Sequence, residues 1–172
     1  MSETEQENNC GEESSGSAAS PAKKAKKAAP ARRYRGVPVA QRRRARKLLV
    51  QALYQWIMSG TDVLEIELQF RIEHEGKIEW GFFNEVLTAI PDEAEKLDSL
   101  ITPLLDREID SLDPIEKGLL YLGCFELANR IDVPYRVVIN EYVELAKVFG
   151  ATDGHKYING VLDKLALELR TV

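Results

Sequence analysis

Apolar side chains return along this chain at steps of three and four, the period of a helix with one buried face. The pattern is clearest from Val39 to Met58, where Ala45, Leu49, Ala52 and Trp56 form one stripe with Leu48 and Leu53 beside it. Ser59-Gly60 then supplies a stop and Thr61-Asp62 a fresh N-cap. A second helix is predicted from Val63 to about Glu75, on Val63, Ile66 and Phe70, and Gly76 breaks it. A third covers Ile78 to Ile90, with Trp80, Phe83, Leu87 and Ile90 on one side and Pro91 behind it. A fourth covers Asp92 to Leu100, with Pro103 as a break before the short segment Leu104 to Ile109.

Asp113-Pro114-Ile115-Glu116 reads as a capping box with proline at the first helical position. The helix it opens, Ile115 to Arg130, is apolar on most sides and is therefore expected at the centre, with Cys124 as a small core residue. Asp132-Val133-Pro134 starts a helix that runs to Phe149 and ends at Gly150. Val138, Val143, Leu145, Ala146 and Phe149 are its expected core, and Glu141 and Glu144 with Lys147 its solvated ion-pair face. Thr152-Asp153 caps a last helix, His155 to about Leu169, with Ile158, Val161, Leu162 and Leu165 inward. No period-two strand pattern survives, so the fold class is all-α, with about seven helices and short connections.

Residues 1–38 carry too few apolar groups to bury and read as a disordered tail, acidic and then basic, ahead of a helical domain over 39–172. The net charge of −5 conceals a division along the chain. Residues 1–15 hold five glutamates and no base; residues 16–61 hold twelve lysines and arginines and no acid. The remaining 111 residues hold 23 acids against 11 bases. A polyanion-binding face on an acidic body is the physical reading of that order. Five of the cations, Arg42, Arg43, Arg44, Arg46 and Lys47, stand in the first half of the opening helix.

Catalysis finds little support. The two histidines, His74 and His155, have no metal-ligand spacing, and there is no glycine-rich phosphate loop or nucleophile elbow. Asp153, His155 and Lys156 lie together, but a capping aspartate at a helix start accounts for them. No metal or cofactor is expected. Cys10 and Cys124 form no disulfide framework, no apolar run approaches a membrane span, and the first residues carry no apolar signal segment. A cytoplasmic protein is the expectation.

At the opening helix and across the last third the sequence resembles the NusB family of bacterial transcription antitermination factors. The residues that carry the resemblance are Arg42-Arg43-Arg44-Ala45-Arg46 and Gln51-Ala52-Leu53-Tyr54-Gln55-Trp56, then Asp132 to Glu141, Glu144-Leu145-Ala146-Lys147, Phe149-Gly150 and His155 to Lys164, with Asp113 to Leu127 similar to the family's central helix. It covers about residues 40–170. It implies two small helical bundles packed together. It also implies binding to boxA, a short single-stranded element of nascent ribosomal RNA transcripts. The implied protein partner is NusE, a small-subunit ribosomal protein, within the RNA polymerase antitermination complex with the other Nus factors. Monomers and homodimers are both implied, and a dimer would hide the arginine face in the RNA-free state.

The residues agree with that resemblance. Arg42, Arg43, Arg44 and Arg46 offer forked donors for phosphates and planes for stacking. Gln51 can bond a base edge, and Tyr54 follows near enough to share the arginine face, or it is plain core. Trp56 is expected in the core. Lys156 and Tyr157 stand at a helix N-terminus, where free backbone N–H groups suit a phosphate, and the resemblance carries RNA contact to both, with core as the other reading of Tyr157. Glu116 is implied as part of the NusE surface, though it also completes a capping box. Gly154 departs from the serine common at that position in the family and loosens the helix start. Two other readings stand beside the first: an RNA-binding domain allied to a ribosomal RNA methyltransferase, and a protein-interaction module whose arginines steer a protein.

Overall fold

The computed structural model describes residues 36–170. The predicted tail, residues 1–38, lies almost wholly outside them. Seven α-helices follow one another: α1 (Val39–Ser59), α2 (Val63–Glu73), α3 (Trp80–Asp92), α4 (Ala94–Ile101), α5 (Pro114–Asn129), α6 (Tyr135–Phe149) and α7 (Gly154–Arg170). Two 3₁₀ turns, Thr102–Leu104 and Ile109–Ser111, lie between α4 and α5, and there is no strand among the described residues. α1, α2 and α3 pack on one another; α4, α6 and α7 pack around α5; contact between α1 and α5 joins the two groups.

The local rules explain most ends. Gly60 adopts the left-handed conformation (φ 65°) and its N–H bonds Trp56 O, closing α1. Asp62 and Asp113 cap α2 and α5 through the N–H groups of Leu64 and Ile115, each at 2.9 Å. The capping box is only half made: among the described residues Glu116 returns no bond to Asp113. α3 begins two residues later than its apolar pattern and runs one residue past Pro91, whose missing N–H leaves the Leu87 carbonyl without its helical donor. α7 begins at Gly154 rather than His155, and Asp153 is no ordinary cap. It takes a positive φ of 65°, and its carboxylate receives Lys156 Nζ at 2.8 Å.

α5 is the axis of the larger bundle, buried without interruption from Gly118 to Leu127. At Gly123 it meets α7 so closely that a Cβ there would lie 2.6 Å from Leu162 Cδ2, which only glycine avoids. Arg170 seals the far end of the same helix. Its guanidinium donates to the carbonyls of Leu127 (2.6 Å), Arg130 (2.8 Å), Glu126 (3.1 Å) and Val133 (3.2 Å). Leu127 O, a carbonyl that the helix C-terminus would leave unmatched, thus finds its donor on a distant side chain, and the same guanidinium ties down the turn that follows.

Cys124 is fully buried, and burial pushes its thiol pKa up to about 12. In a Cys10→Ser chain we expect Ellman's reagent to leave Cys124 unmodified at pH 8 while the protein is native and to modify it once urea unfolds it; native reactivity at the unfolded rate would contradict this packing.

The core face of α6 is rotated from the predicted one. Val138, Ile139, Glu141, Tyr142 and Ala146 are buried, whereas Val143, Leu145 and Phe149 are only half-buried. Glu141 therefore does not belong to a solvated face; the exposed pair is Glu144 with Lys147, at 2.7 Å. What brings a carboxylate inward lies on α1.

Candidate nucleic-acid interface

The run of cations on α1 is divided by helical geometry. Residues 42, 46, 49 and 53 share a stripe, and so do 43, 47, 51 and 54. The first stripe carries Leu49 and Leu53, both fully buried, and it takes two arginines down with them.

Arg46 is 3% exposed. Its guanidinium makes a two-pronged bond with Glu126 (2.8 and 2.9 Å), and its Nη1 lies 3.5 Å from Glu141. The hydroxyl of Tyr142 donates to Glu126 at 2.5 Å, which completes a buried network of four side chains from three helices. Burial opposes the charge on Arg46, but the bond to Glu126 and the surrounding anionic groups outweigh it and hold the guanidinium above its usual pKa. Burial also raises the Tyr142 phenol well above its usual value, and the Glu126 carboxylate adds to that. Arg42 is half-buried and forks onto Glu79 at 2.7 and 2.8 Å. Arg42, Arg46 and Arg130 all lie over the ring of Phe82, with guanidinium carbons 5.0, 5.7 and 5.4 Å from its centroid. The expectation that Arg42 and Arg46 stand out as displayed cations is thus corrected: both face inward, for the reason that Leu49 does.

The second stripe is the display. Arg43 is 62% exposed along its side chain, with Nε 2.7 Å from Glu141. Arg44 is exposed and donates to the backbone oxygen of Lys77 at 3.3 Å. Lys47, which the sequence reading left out of the site, is exposed beside them and makes no ion pair among the described residues. Its position four residues after Arg43 was the available signal. Gln51 is half-buried, and Tyr54 is 42% exposed, which removes it from the core. Trp56 is half-buried against the core. Open clefts flank this ridge. Arg43, Lys47, Glu141, Glu144, Leu145 and Val148 line one of about 480 Å³. Another lies on the opposite side, against Phe149 at the end of α6.

Five residues beyond Phe149, α7 begins, and with it the second predicted cluster. Lys156 is exposed and paired with Asp153. Tyr157 is half-buried under Arg107, whose guanidinium carbon is 4.6 Å from the ring centroid. The tyrosine hydroxyl is buried without a hydrogen-bond partner. Burial first, and then the nearby Asp106 carboxylate, raise its pKa. Glu116 stands beside this cluster: a Cβ at Gly154 would be 3.4 Å from its Oε1. Arg107 had no signal in the sequence, since it lies in a loop that only the fold brings to α7. No bond or ring contact among the described residues joins the Lys156 cluster to the Arg43 ridge. The short α6–α7 connection is what relates them.

An all-α scaffold that buries half of an arginine run and presents the other half beside an aromatic is a helical protein with one cationic, aromatic-bearing face. Comparison with known proteins gives that class a family. The sequence profile of the NusB family matches residues 43–167, and the chain belongs to that family. The transcription antitermination protein NusB of Pseudomonas fluorescens is 54% identical over 132 residues, which cover 76% of this chain and 80% of that one. The protein of the same name from Hahella chejuensis is 50% identical over 131 residues, covering 76% and 88%. Among solved structures, T. maritima NusB aligns with a TM-score of 0.65 at 26% identity, over 73% of this chain and 90% of that one. A crystal structure of antitermination factors NusB and NusE in complex with double-stranded RNA aligns at 0.68 and 25% identity, over 76% and 99%.

Proposed function

We propose that this chain binds boxA single-stranded RNA together with NusE and, as part of the antitermination complex on RNA polymerase, promotes processive transcription of ribosomal RNA. The observation that carries the reading is the exposed stripe of Arg43, Lys47, Gln51 and Tyr54, with Arg44 beside it. Cations on it can meet phosphates, while the amide and the aromatic ring can meet bases, which single strands leave open. Lys156, Tyr157 and the neighbouring Arg107 extend the RNA contact across the α6–α7 connection. Glu116 belongs to the surface that NusE covers. The chain works in the cytoplasm by recognition, without a reaction of its own. The basic tail within residues 1–38 adds phosphate contacts ahead of the folded domain over 39–172.

The relative solved with NusE was crystallised with double-stranded RNA, so strandedness is the reading to test. A labelled boxA oligomer, its duplex and a scrambled strand are titrated with the chain, with and without NusE. The single boxA strand is expected to bind most tightly, and NusE to tighten it further. Equal binding of boxA and scrambled strands would overturn the reading, and preference for the duplex would replace it with recognition of helical RNA.

A further inference from the structure

Two clefts lie side by side along α1. The first, about 520 Å³, has Leu48, Ile78 and Phe149 as its apolar wall and Arg44, Lys47, Gln51 and the carboxylate of Glu75 on its polar side. The second, about 510 Å³, continues past Tyr54 and Met58. Gln51 and His74 line both and so form the divide between them. His74 is the residue after α2, and its ring leans on Phe70 with centroids 5.3 Å apart. The loop that follows turns back through Gly76 at φ 104° and is tied to α1 by the bond from Arg44 to Lys77 O. Gln51 spends one amide donor on its own helix, at Lys47 O, 3.3 Å away. Its oxygen has no partner among the described residues.

We propose that the first cleft seats one unstacked nucleobase of the RNA strand, and that His74 stands between this base and the next one, held beside Tyr54. The proposal rests on the boxA reading above and adds to it a base site that neither the arginine run nor the α7 cluster supplies. Apolar walls with a few convergent polar groups are what a base's face and edge require. Arg44 and Lys47 at the mouth suit the phosphate that must accompany it. Lys47 and Tyr54 are seven residues apart on α1, about 10 Å along its axis. An unstacked strand, stretched beyond the ~3.4 Å step of a stacked one, spans that within a few nucleotides. His74 offers a flat ring for stacking and a nitrogen for a base edge.

The test uses the full chain and boxA oligomers carrying 4-thiouridine at one position each. After irradiation, one position is expected to crosslink to the segment from His74 to Ile78 or to Phe149. His74→Ala is expected to weaken boxA binding about tenfold. Because no phosphate contact is lost, its log-log salt slope stays that of the unaltered chain, and His74→Phe restores most of the affinity. Thermal melting of both variants is followed alongside. Wild-type affinity in His74→Ala overturns the proposal, as does absence of any crosslink to these residues or a salt slope that falls with the affinity. Failure of the boxA reading looks different. The unaltered chain would then bind boxA and scrambled strands alike, and crosslinking of either strand would still show whether a base enters the cleft.

Discussion

Replacing Arg43 and Arg44 together by alanine is expected to lower boxA affinity on the order of a hundredfold at low salt, given two lost charge-assisted hydrogen bonds. The dependence of affinity on salt should flatten as well, by about 0.7 of a log-log unit for each phosphate contact removed from a single strand. Both side chains are exposed, so the fold should scarcely notice. Glu141, released from Arg43, still faces Arg46. Equilibrium titration at several salt concentrations reads both quantities at once. Lys47→Ala should add a smaller loss of the same kind. Unchanged affinity with unchanged slope would remove these residues from the interface.

The same substitution three positions along the same helix should do something else. Arg46→Ala leaves Glu126 fully buried and without the guanidinium that forked onto it. Removing one partner of a buried ion pair costs about 3–5 kcal/mol, a large share of the ~5–15 kcal/mol that holds a typical domain together. Urea denaturation should show the midpoint falling sharply, and Glu126→Ala should behave alike. Replacing Arg46, Glu126 and Tyr142 together by apolar residues of similar volume should recover much of the loss, because no buried group is then left without a partner. A loss below about 1 kcal/mol in Arg46→Ala, the scale of an exposed pair, would mean that the network is not closed in solution. RNA binding by Arg46→Ala has to be measured well below its melting temperature, or instability will pass for lost contact.

Helix periodicity and end signals made nearly all of the architecture readable in the chain. The stop at Gly60, the caps at Asp62 and Asp113 and the central position of α5 are all local matters, written within a few residues of where they act. The errors arose where a distant group decided the outcome. Glu141 looks like one member of an exposed charge row until Arg43 and Arg46, nearly a hundred residues earlier, are laid against it. Arg42 and Arg46 look like display cations until Glu79 and Glu126 are known to await them. Lys47 needed only the same four-residue step that was applied to the apolar stripe. Arg107 was out of reach because it lies in a loop placed by the packing of other segments, and His74 because α2 stops one residue before it, inside the stretch the pattern reads as helix.

The division of one arginine run into an inward and an outward half bears on how such a sequence drifts. On the proposed function, a lineage can exchange Arg43, Arg44 or Lys47 singly, and each exchange should alter how firmly RNA is gripped while the scaffold persists. Arg46 has no such freedom, because a change there must be answered at Glu126, in a codon 80 positions away. Neighbouring triplets of the same amino acid therefore answer to different judges, one to the transcript and one to the fold. A saturation library through this helix should show tolerance rising and falling with every turn.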